Sequence, residues 1–301
     1  MFAPRVPGLV SVVTPCLDAS PFLREAIESV LGQRYPQVEH IVVDGGSADG
    51  TVAIAREYEP RLSVLELPGS SQAHAINFGF ARSCGEYFAF LNADDVLEPD
   101  ALVRAVEALK KTEAAPYAYG DATFTDEHGE ELGVYPTMPF SRAALARACF
   151  ICQPATVMRA TAFERAGGVD ERYSASFDYD LWVRMAMSEP PPVRVLSRLA
   201  RARMHPTAKT FRKRDDVYRE AIAVVRNHYH YVPFSWLHAY AGYRGDGRDQ
   251  FFEASPGSLK RTLDTLAMGL RENAGRRLRY FSEWLSESWR LWRAARRRRA
   301  A

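Results

Sequence analysis

The stretch Tyr87-Phe88-Ala89-Phe90-Leu91-Asn92-Ala93-Asp94-Asp95 decides the reading of this chain. Its first five residues are apolar and rich in aromatics, the composition of a short strand covered on both faces, and Pro99 opens a helical pattern that runs to about residue 111. Open α/β sheets bind ligands at the carboxyl ends of their strands, where connecting loops leave a crevice. Asn92, Asp94 and Asp95 stand at such an end. Hard divalent cations such as Mg²⁺ and Mn²⁺ take oxygen ligands and share them between protein carboxylates and a diphosphate. An Asp-Asp pair after a strand also serves as a plain turn and helix start, and the motif alone does not separate the two uses.

Upstream, the rhythm is regular. Residues 9–13 read as a first strand ended by Thr14-Pro15, and Ser20 is placed to cap a helix with Pro21 in its first turn, running to about residue 33. A second strand over 39–43 leads into the glycine-rich loop Asp44-Gly45-Gly46-Ser47-Ala48-Asp49-Gly50, followed by a helix over 51–58. A strand over 62–67 and a helix over 72–82 complete the approach to 87–91. Strands alternating with helices at this spacing predict a mainly parallel, Rossmann-like sheet flanked by helices.

Downstream the alternation loosens. A strand is expected over 117–123, a polar hairpin or turn over 127–133, a helix over 141–148, a strand over 155–159, a helix from Thr161, a helix over 179–187 broken by Pro190-Pro191-Pro192, and a strand over 193–199. From about Arg212 the sequence is helical, with a loop over 242–257 rich in Gly, Asp and Arg. The expected organisation is one α/β domain over 1–210, divided into halves at 9–111 and 112–210, and a helical extension over 211–301.

Composition is that of an ordinary globular protein, with 47% hydrophobic and 25% charged residues among 301 and a net charge of +2. The field of the whole molecule therefore points to no polyanionic partner. Charge is uneven, however: residues 276–301 carry nine Arg against Glu283 and Glu287, and Phe281, Trp284, Leu285, Trp289 and Trp292 recur there at helical spacing. Such a basic amphipathic helix suits either the protein's own core or an anionic membrane surface, and no base-reading module accompanies it, so nucleic acid is not expected. The four cysteines, Cys16, Cys84, Cys149 and Cys152, are too scattered for a disulfide scaffold, and Cys149 and Cys152 make only half a zinc spacing. With no secretory pattern and no apolar run long enough to span a bilayer, the expected location is cytoplasmic, or peripheral on the inner face of the cell membrane.

Four motifs in order, Thr14-Pro15-Cys16-Leu17-Asp18, Asp44-Gly45-Gly46-Ser47-Ala48-Asp49-Gly50-Thr51, Asn92-Ala93-Asp94-Asp95 and Phe177-Asp178-Tyr179-Asp180-Leu181-Trp182, resemble those of family 2 glycosyltransferases, inverting enzymes of the GT-A fold that use nucleotide-sugar donors. The resemblance covers roughly residues 9–210. It implies that Thr14, Pro15, Asp18, Asp44 and Asn92 serve the nucleotide. It further implies that Asp94 and Asp95, with His205 of Arg203-Met204-His205-Pro206, serve a Mg²⁺ or Mn²⁺ ion. Asp178 matches the family's general base, while Asp180, two residues on along a helix, points elsewhere and is read as structural. Asn92 stands where the family usually has Asp, and Phe177 where many members have Glu; His74 replaces an acid, so its helix is given no catalytic role. The Gln153-Pro154-Ala155-Thr156-Val157 and Gly167-Gly168-Val169-Asp170 segments resemble the family's acceptor half.

The resemblance thus implies transfer of a sugar from a nucleoside diphosphate, with UDP or dTDP sugars favoured, to a glycan or lipid-linked acceptor. Two other readings stand beside it. A sugar-phosphate nucleotidylyltransferase would need a basic, glycine-rich loop after the first strand, which residues 14–20 lack. A catalytically silent nucleotide-sugar-binding or scaffold subunit is compatible with Asn92 and Phe177.

Overall fold

Val10, Ser11, Val12, Val13 and Thr14 are all fully buried, and a strand with no exposed face belongs in the middle of a covered sheet. The structure, a computed structural model, describes residues 4–188, 190–247 and 258–300. Its chain divides into two units, one formed by Met1–Arg142 and Cys149–Arg212 and the other by Ala143–Ala148 and Lys213–Ala301.

In the first unit, β1 (Val6–Cys16), α1 (Leu23–Leu31), β2 (Val38–Asp44), α2 (Thr51–Arg56), β3 (Ser63–Glu66), α3 (Gln72–Phe80) and β4 (Gly85–Phe90) alternate. They give four parallel strands in the order β3-β2-β1-β4. Helix α3 lies tight on this layer because residue 79 is glycine; a Cβ there would sit 2.7 Å from Val13 Cγ1. Phe80 stacks on Phe88 at 4.2 Å between ring centroids, and Phe163 meets both edge-on.

Then follow β5 (Val96–Leu97), α4 (Ala101–Lys111), β6 (Tyr117–Thr125), β7 (Glu131–Val134), α5 (Arg142–Leu145), a 3₁₀ turn at Gln153–Ala155, β8 (Thr156–Arg159), α6 (Ala160–Arg165), α7 (Phe177–Ser188), β9 (Val193–Arg203) and α8 (Lys209–Arg212). They extend the sheet as β4-β8-β6-β9-β5, with β7 paired to β6. Here the sheet is mixed: β8 is antiparallel to β4 and β6, and β9 is parallel to β6 but antiparallel to β5. The α/β class with flanking helices is as expected; the sheet is wholly parallel over its first four strands and mixed beyond them, where β6 and β9 still run parallel.

Three local expectations change. β1 runs on through Thr14 and Pro15 to Cys16, with Pro15 in register with Val43. Ser20 does not cap α1, which starts at Leu23 without a side-chain cap, because the Ser20 N–H donates to Asp49 and residues 19–22 form a separate turn. β9 continues to Arg203, four residues past its expected end, and pairs with the unforeseen β5 through Val96↔Arg201 and Leu97↔Ala200. That pairing delivers the segment after β9 to the acidic turn after β4.

The second unit contains α9 (Arg214–Tyr229), α10 (Phe234–Asp246), α11 (Leu259–Glu272) and α12 (Arg277–Ala300). α10 passes through Gly242, expected to open a loop, because the bare Cα lets the Arg261 guanidinium approach; a Cβ there would lie 2.6 Å from Arg261 Cζ. The rest of that expected loop, residues 248–257, lies outside the described residues.

His40, on β2, is 2% exposed and its Nε2 lies 3.0 Å from Thr14 Oγ1. Burial pulls it down to about 3 from an ordinary 6.5, so it is neutral at pH 7. Between these two values the unfolded chain binds the extra proton, and stability must fall as pH drops from 6.5 towards 3, by up to about 1.4 kcal/mol per pH unit. His40→Gln, which cannot ionise, should flatten that slope; urea denaturation at pH 7, 5.5 and 4.5 measures it, and an unchanged slope would refute the assignment.

Candidate functional site

Two loops at the carboxyl ends of β1 and β2 are laced together. Asp18 Oδ1 accepts from the Ala48 N–H at 2.8 Å, the Asp18 N–H donates to Ser47 Oγ at 2.8 Å, and the Ala19 N–H donates to Thr51 Oγ1 at 2.8 Å. Asp49 accepts from Ser20 and Thr51; although burial opposes ionisation, those hydrogen bonds hold it down at about 2. Asp18 reaches this geometry only at φ +48°, a left-handed conformation that non-glycine residues adopt rarely, and Asp among them more readily than most.

The side chains of Thr14 and Asp44 turn inward. Thr14 meets His40, and Asp44, 1% exposed, accepts from the N–H groups of Gly46 and Ser47 at 2.9 Å and from Ser47 Oγ at 2.5 Å. Asp44 therefore builds the turn that Gly46, at φ +103°, makes feasible. Pro15 is buried within the strand. Of the four residues expected here, Asp18 alone is exposed, and Leu17 beside it is 58% exposed.

At the end of β4 the acidic turn is tied down. Asp95 is 5% exposed, with Oδ1 accepting from the Arg203 N–H at 3.0 Å and Oδ2 from Asn92 Nδ2 at 3.0 Å. Desolvation and the neighbouring Asp94 charge push its carboxyl well above the usual range, against the pull of these donors. Asp94 faces outward from the turn, its Oδ2 3.0 Å from His205 Nε2. His205 Nδ1 is held by Thr207 Oγ1 at 2.8 Å, and the ring packs on Phe22 at 4.5 Å. The Arg203 guanidinium donates to the carbonyls of Asp94 and Glu127 at 3.0 and 2.9 Å, pairs with Glu25, and covers the Phe22 ring.

Asn92 sits in a chain whose direction is fixed by chemistry. Lys209 Nζ, a donor only, reaches Gln72 Oε1 at 2.7 Å; Gln72 Nε2 then donates to Asn92 Oδ1 at 2.6 Å, which leaves the Asn92 amide to donate to Asp95. Sequence reasoning assigned no role to Gln72, Arg203 or Lys209. The available signal was three cationic or amide residues at the starts and ends of elements bordering the acidic turn.

Asp178 is the second residue of α7 and its Oδ1 accepts from the Tyr179 N–H at 2.8 Å. Phe177 beside it packs against Phe90, on the strand that leads to the acidic turn, and under Lys209 Nζ at 5.1 Å. Burial pushes the Cys152 thiol up, and the charges of Asp95, Cys149 and Asp178 push it further. Asp180, read as structural from the sequence, is 1% exposed and bound by Arg184 at 2.6 Å, and Trp182 is fully buried against Phe90 and Tyr117. His74 and Asn77 hold Glu171 at 2.9 and 2.8 Å. All four cysteines are free.

The donors around Asp95 set an expected outcome. Asn92→Asp replaces a donor to a buried carboxylate with a like charge, and should cost about 1–3 kcal/mol of stability at pH 7. Arg203→Met, which orphans the Asp94 and Glu127 carbonyls and leaves Asp95 without its neighbouring cation, should cost at least about 2 kcal/mol. Urea midpoints measure both, and wild-type midpoints would show that the turn does not need these donors.

The sequence pattern of Glycosyl transferase family 2 matches residues 11–167, more than half of the chain. Chondroitin synthase of Escherichia coli is 28% identical over 220 residues, which are 72% of this chain and 32% of that protein. The chain spans only part of the length of the curated relatives it matches, from 14% of an O-antigen biosynthesis protein of Myxococcus xanthus to 58% of an uncharacterised glycosyltransferase of Rickettsia typhi. Among solved structures, S. aureus TarS 1-349 in complex with UDP superposes with a TM-score of 0.61 at 15% identity, covering 88% of this chain and 82% of that one. The mannosyltransferase PcManGT of Pyrobaculum calidifontis, in complex with GDP-Man and Mn²⁺, does so with a TM-score of 0.57 at 17% identity, covering 92% and 89%. At those identities the likeness is one of fold, and it is the GT-A fold. Matched over most of its first unit, with the acidic turn and the laced loops at one set of strand ends, the chain belongs to glycosyl transferase family 2.

Proposed function

We propose that this protein is an inverting glycosyltransferase that moves a sugar from a nucleoside diphosphate, UDP or dTDP in the first instance, to a hydroxyl of a glycan or lipid-linked acceptor. The observation that carries the reading is the Asp94–His205 pair, 3.0 Å apart and fixed from behind by Thr207, Asp95 and Arg203. A carboxylate and an imidazole held in this way fit a divalent cation. With Nδ1 of His205 held by Thr207, an ion would take Nε2 in place of that nitrogen's contact with Asp94 Oδ2, the arrangement in which an outer partner orients a metal-binding imidazole. Among the described residues no group of three or more His, Cys, Asp or Glu side chains converges on one point, so the remaining ligands would come from the donor diphosphate and water. Asp95 supports the turn rather than the ion, since its oxygens serve Arg203 and Asn92.

Bound there, Mg²⁺ or Mn²⁺ would offset the charge that grows on the departing diphosphate. The chain's own groups do the rest. The laced loops after β1 and β2 offer preordered main-chain groups to the nucleoside, and Lys209 adds a cation beside the acidic turn. Asp178, in the first turn of α7, accepts the acceptor's hydroxyl proton. The acceptor oxygen then bonds the anomeric carbon as the bond to the diphosphate oxygen breaks with its electron pair, which inverts the centre. UDP and GDP-Man in the TarS and PcManGT complexes support a nucleotide-sugar donor, and chondroitin synthase among the relatives supports a glycan acceptor.

Two measurements test this. In a panel of nucleotide sugars with Mn²⁺ or Mg²⁺, slow donor hydrolysis should single out one donor and fall at least about 100-fold in Asp94→Ala, while Asp178→Asn should retain donor binding and lose transfer by roughly 10² to 10⁴. Donors that bind without turnover in any acceptor pool would favour the silent-subunit reading. Because the protein supplies few ligands, Mn²⁺ titrated by calorimetry should bind at least about tenfold more tightly with UDP present than without it; equal affinity would count against a shared site.

A further inference from the structure

The basic amphipathic tail turns out to have two distinct apolar faces. One is used within its own unit: Tyr280 is fully buried with its hydroxyl donating to the Thr265 carbonyl at 3.0 Å, Trp284 Nε1 donates to the Thr262 carbonyl at 3.0 Å, and Glu283 is paired with Arg147 at 2.8 Å. The other lies roughly 130° round the helix at 100° per residue. It consists of Leu278, Phe281, Leu285, Trp289 and Trp292, exposed by 87, 41, 49, 58 and 44%. Their spacing of three and four keeps them on one stripe along α12. Trp284, grouped with them from the sequence, belongs to the packed face.

We propose that this exposed stripe is a docking surface for an anionic lipid bilayer, with α12 lying along the membrane plane. The packed face is anchored through Tyr280 and Trp284, and of the stripe Phe281 stacks on Trp284 at 5.8 Å while the stripe residues stay at least 41% exposed. Arg290, Arg293 and Arg297 project on its outer flank, Arg296 stands over the Trp292 ring at 4.2 Å, and Arg279 lies over the Tyr231 ring of its own unit at 4.1 Å. Of the tail's two acids, Glu283 is held on the packed face and Glu287 offsets only Arg290, at 2.8 Å, so Arg293, Arg296 and Arg297 keep the outward charge positive. Apolar stripe, paired Trp rings and a one-sided Arg row are what the boundary between acyl chains and anionic headgroups recognises. A second copy fits less well, because antiparallel stripes would bring one Arg row against the other. No described helix is long and apolar enough to cross a membrane, so the contact is interfacial.

Flotation of the full chain with vesicles tests it. Vesicles with 30% phosphatidylglycerol should carry the protein upward, and pure phosphatidylcholine should carry at least tenfold less. Leu285→Glu/Trp289→Ser, at exposed positions that leave the packed face intact, should abolish flotation with unchanged circular dichroism. Arg290→Glu/Arg293→Glu should weaken it at least roughly twentyfold, since each basic residue contributes about fivefold near such a surface. In the unaltered protein, flotation should decline as NaCl is raised from 0.05 to 0.5 M, and vesicles should shift Trp emission to the blue. A protein that stays at the bottom with anionic vesicles, or floats equally after both pairs of substitutions, overturns the proposal. Self-association removed by Leu285→Glu/Trp289→Ser without lipid binding overturns it in favour of a second copy.

Discussion

Two adjacent carboxylates at the end of a buried strand are electrostatically costly, and much of the first unit is arranged to tolerate them. Asp95 lies in the interior beside a like charge. An unpaired buried charge would neutralise or unfold its surroundings, so the turn needs donors from several directions. Arg203 gives Asp95 its main-chain N–H and Asp94 its guanidinium, on the carbonyl. That residue can be there only because β9 runs antiparallel to β5, the two-residue strand that follows the acidic turn. A local problem of charge burial thus fixes a contact between positions more than a hundred residues apart, and His205, two residues beyond Arg203, is brought to Asp94 by the same strand.

The laced loops obey a different economy. Asp18, Ser47, Asp49 and Thr51 use side chains to satisfy main-chain N–H groups of the opposite loop. Such loops lose little further freedom when a ligand docks, and preorganisation of this kind favours binding without adding contacts. Asp44 serves the same order from inside, its oxygen accepting from the Gly46 and Ser47 N–H groups.

The first four strands were legible because apolar runs alternated with helical patterns and punctuating Gly and Pro. β9 was only half visible: Arg194, Arg198, Arg201 and Arg203 interrupt its apolar rhythm, and their partners Asp121, Glu131, Glu98 and Glu25 come from four separate segments. β5 is too short to announce itself. Gly242 read as a loop because a helix seldom wants glycine, and only the Arg261 side chain beside it shows why this one does. In the site, residue identity pointed to the acidic turn, but orientation was not encoded locally. Thr14 faces His40 and Asp44 faces its own turn because of what lies across the strand, which a linear pattern does not contain.

Asn92 shows how charge counting in the folded state explains a departure in the sequence. An acid there would give three carboxylates in four positions, one of them sealed from water, with Arg203 as the nearest guanidinium and Lys209 two hydrogen bonds away. An amide instead relays polarity: it accepts from Gln72, whose own oxygen is held by Lys209, and passes a donor to Asp95. The ammonium sets the direction of the whole chain, because it can only give protons to hydrogen bonds. Loss of one negative charge at the first position therefore supports the second and third, and leaves Asp94 with His205 as the outward pair at the mouth of the site.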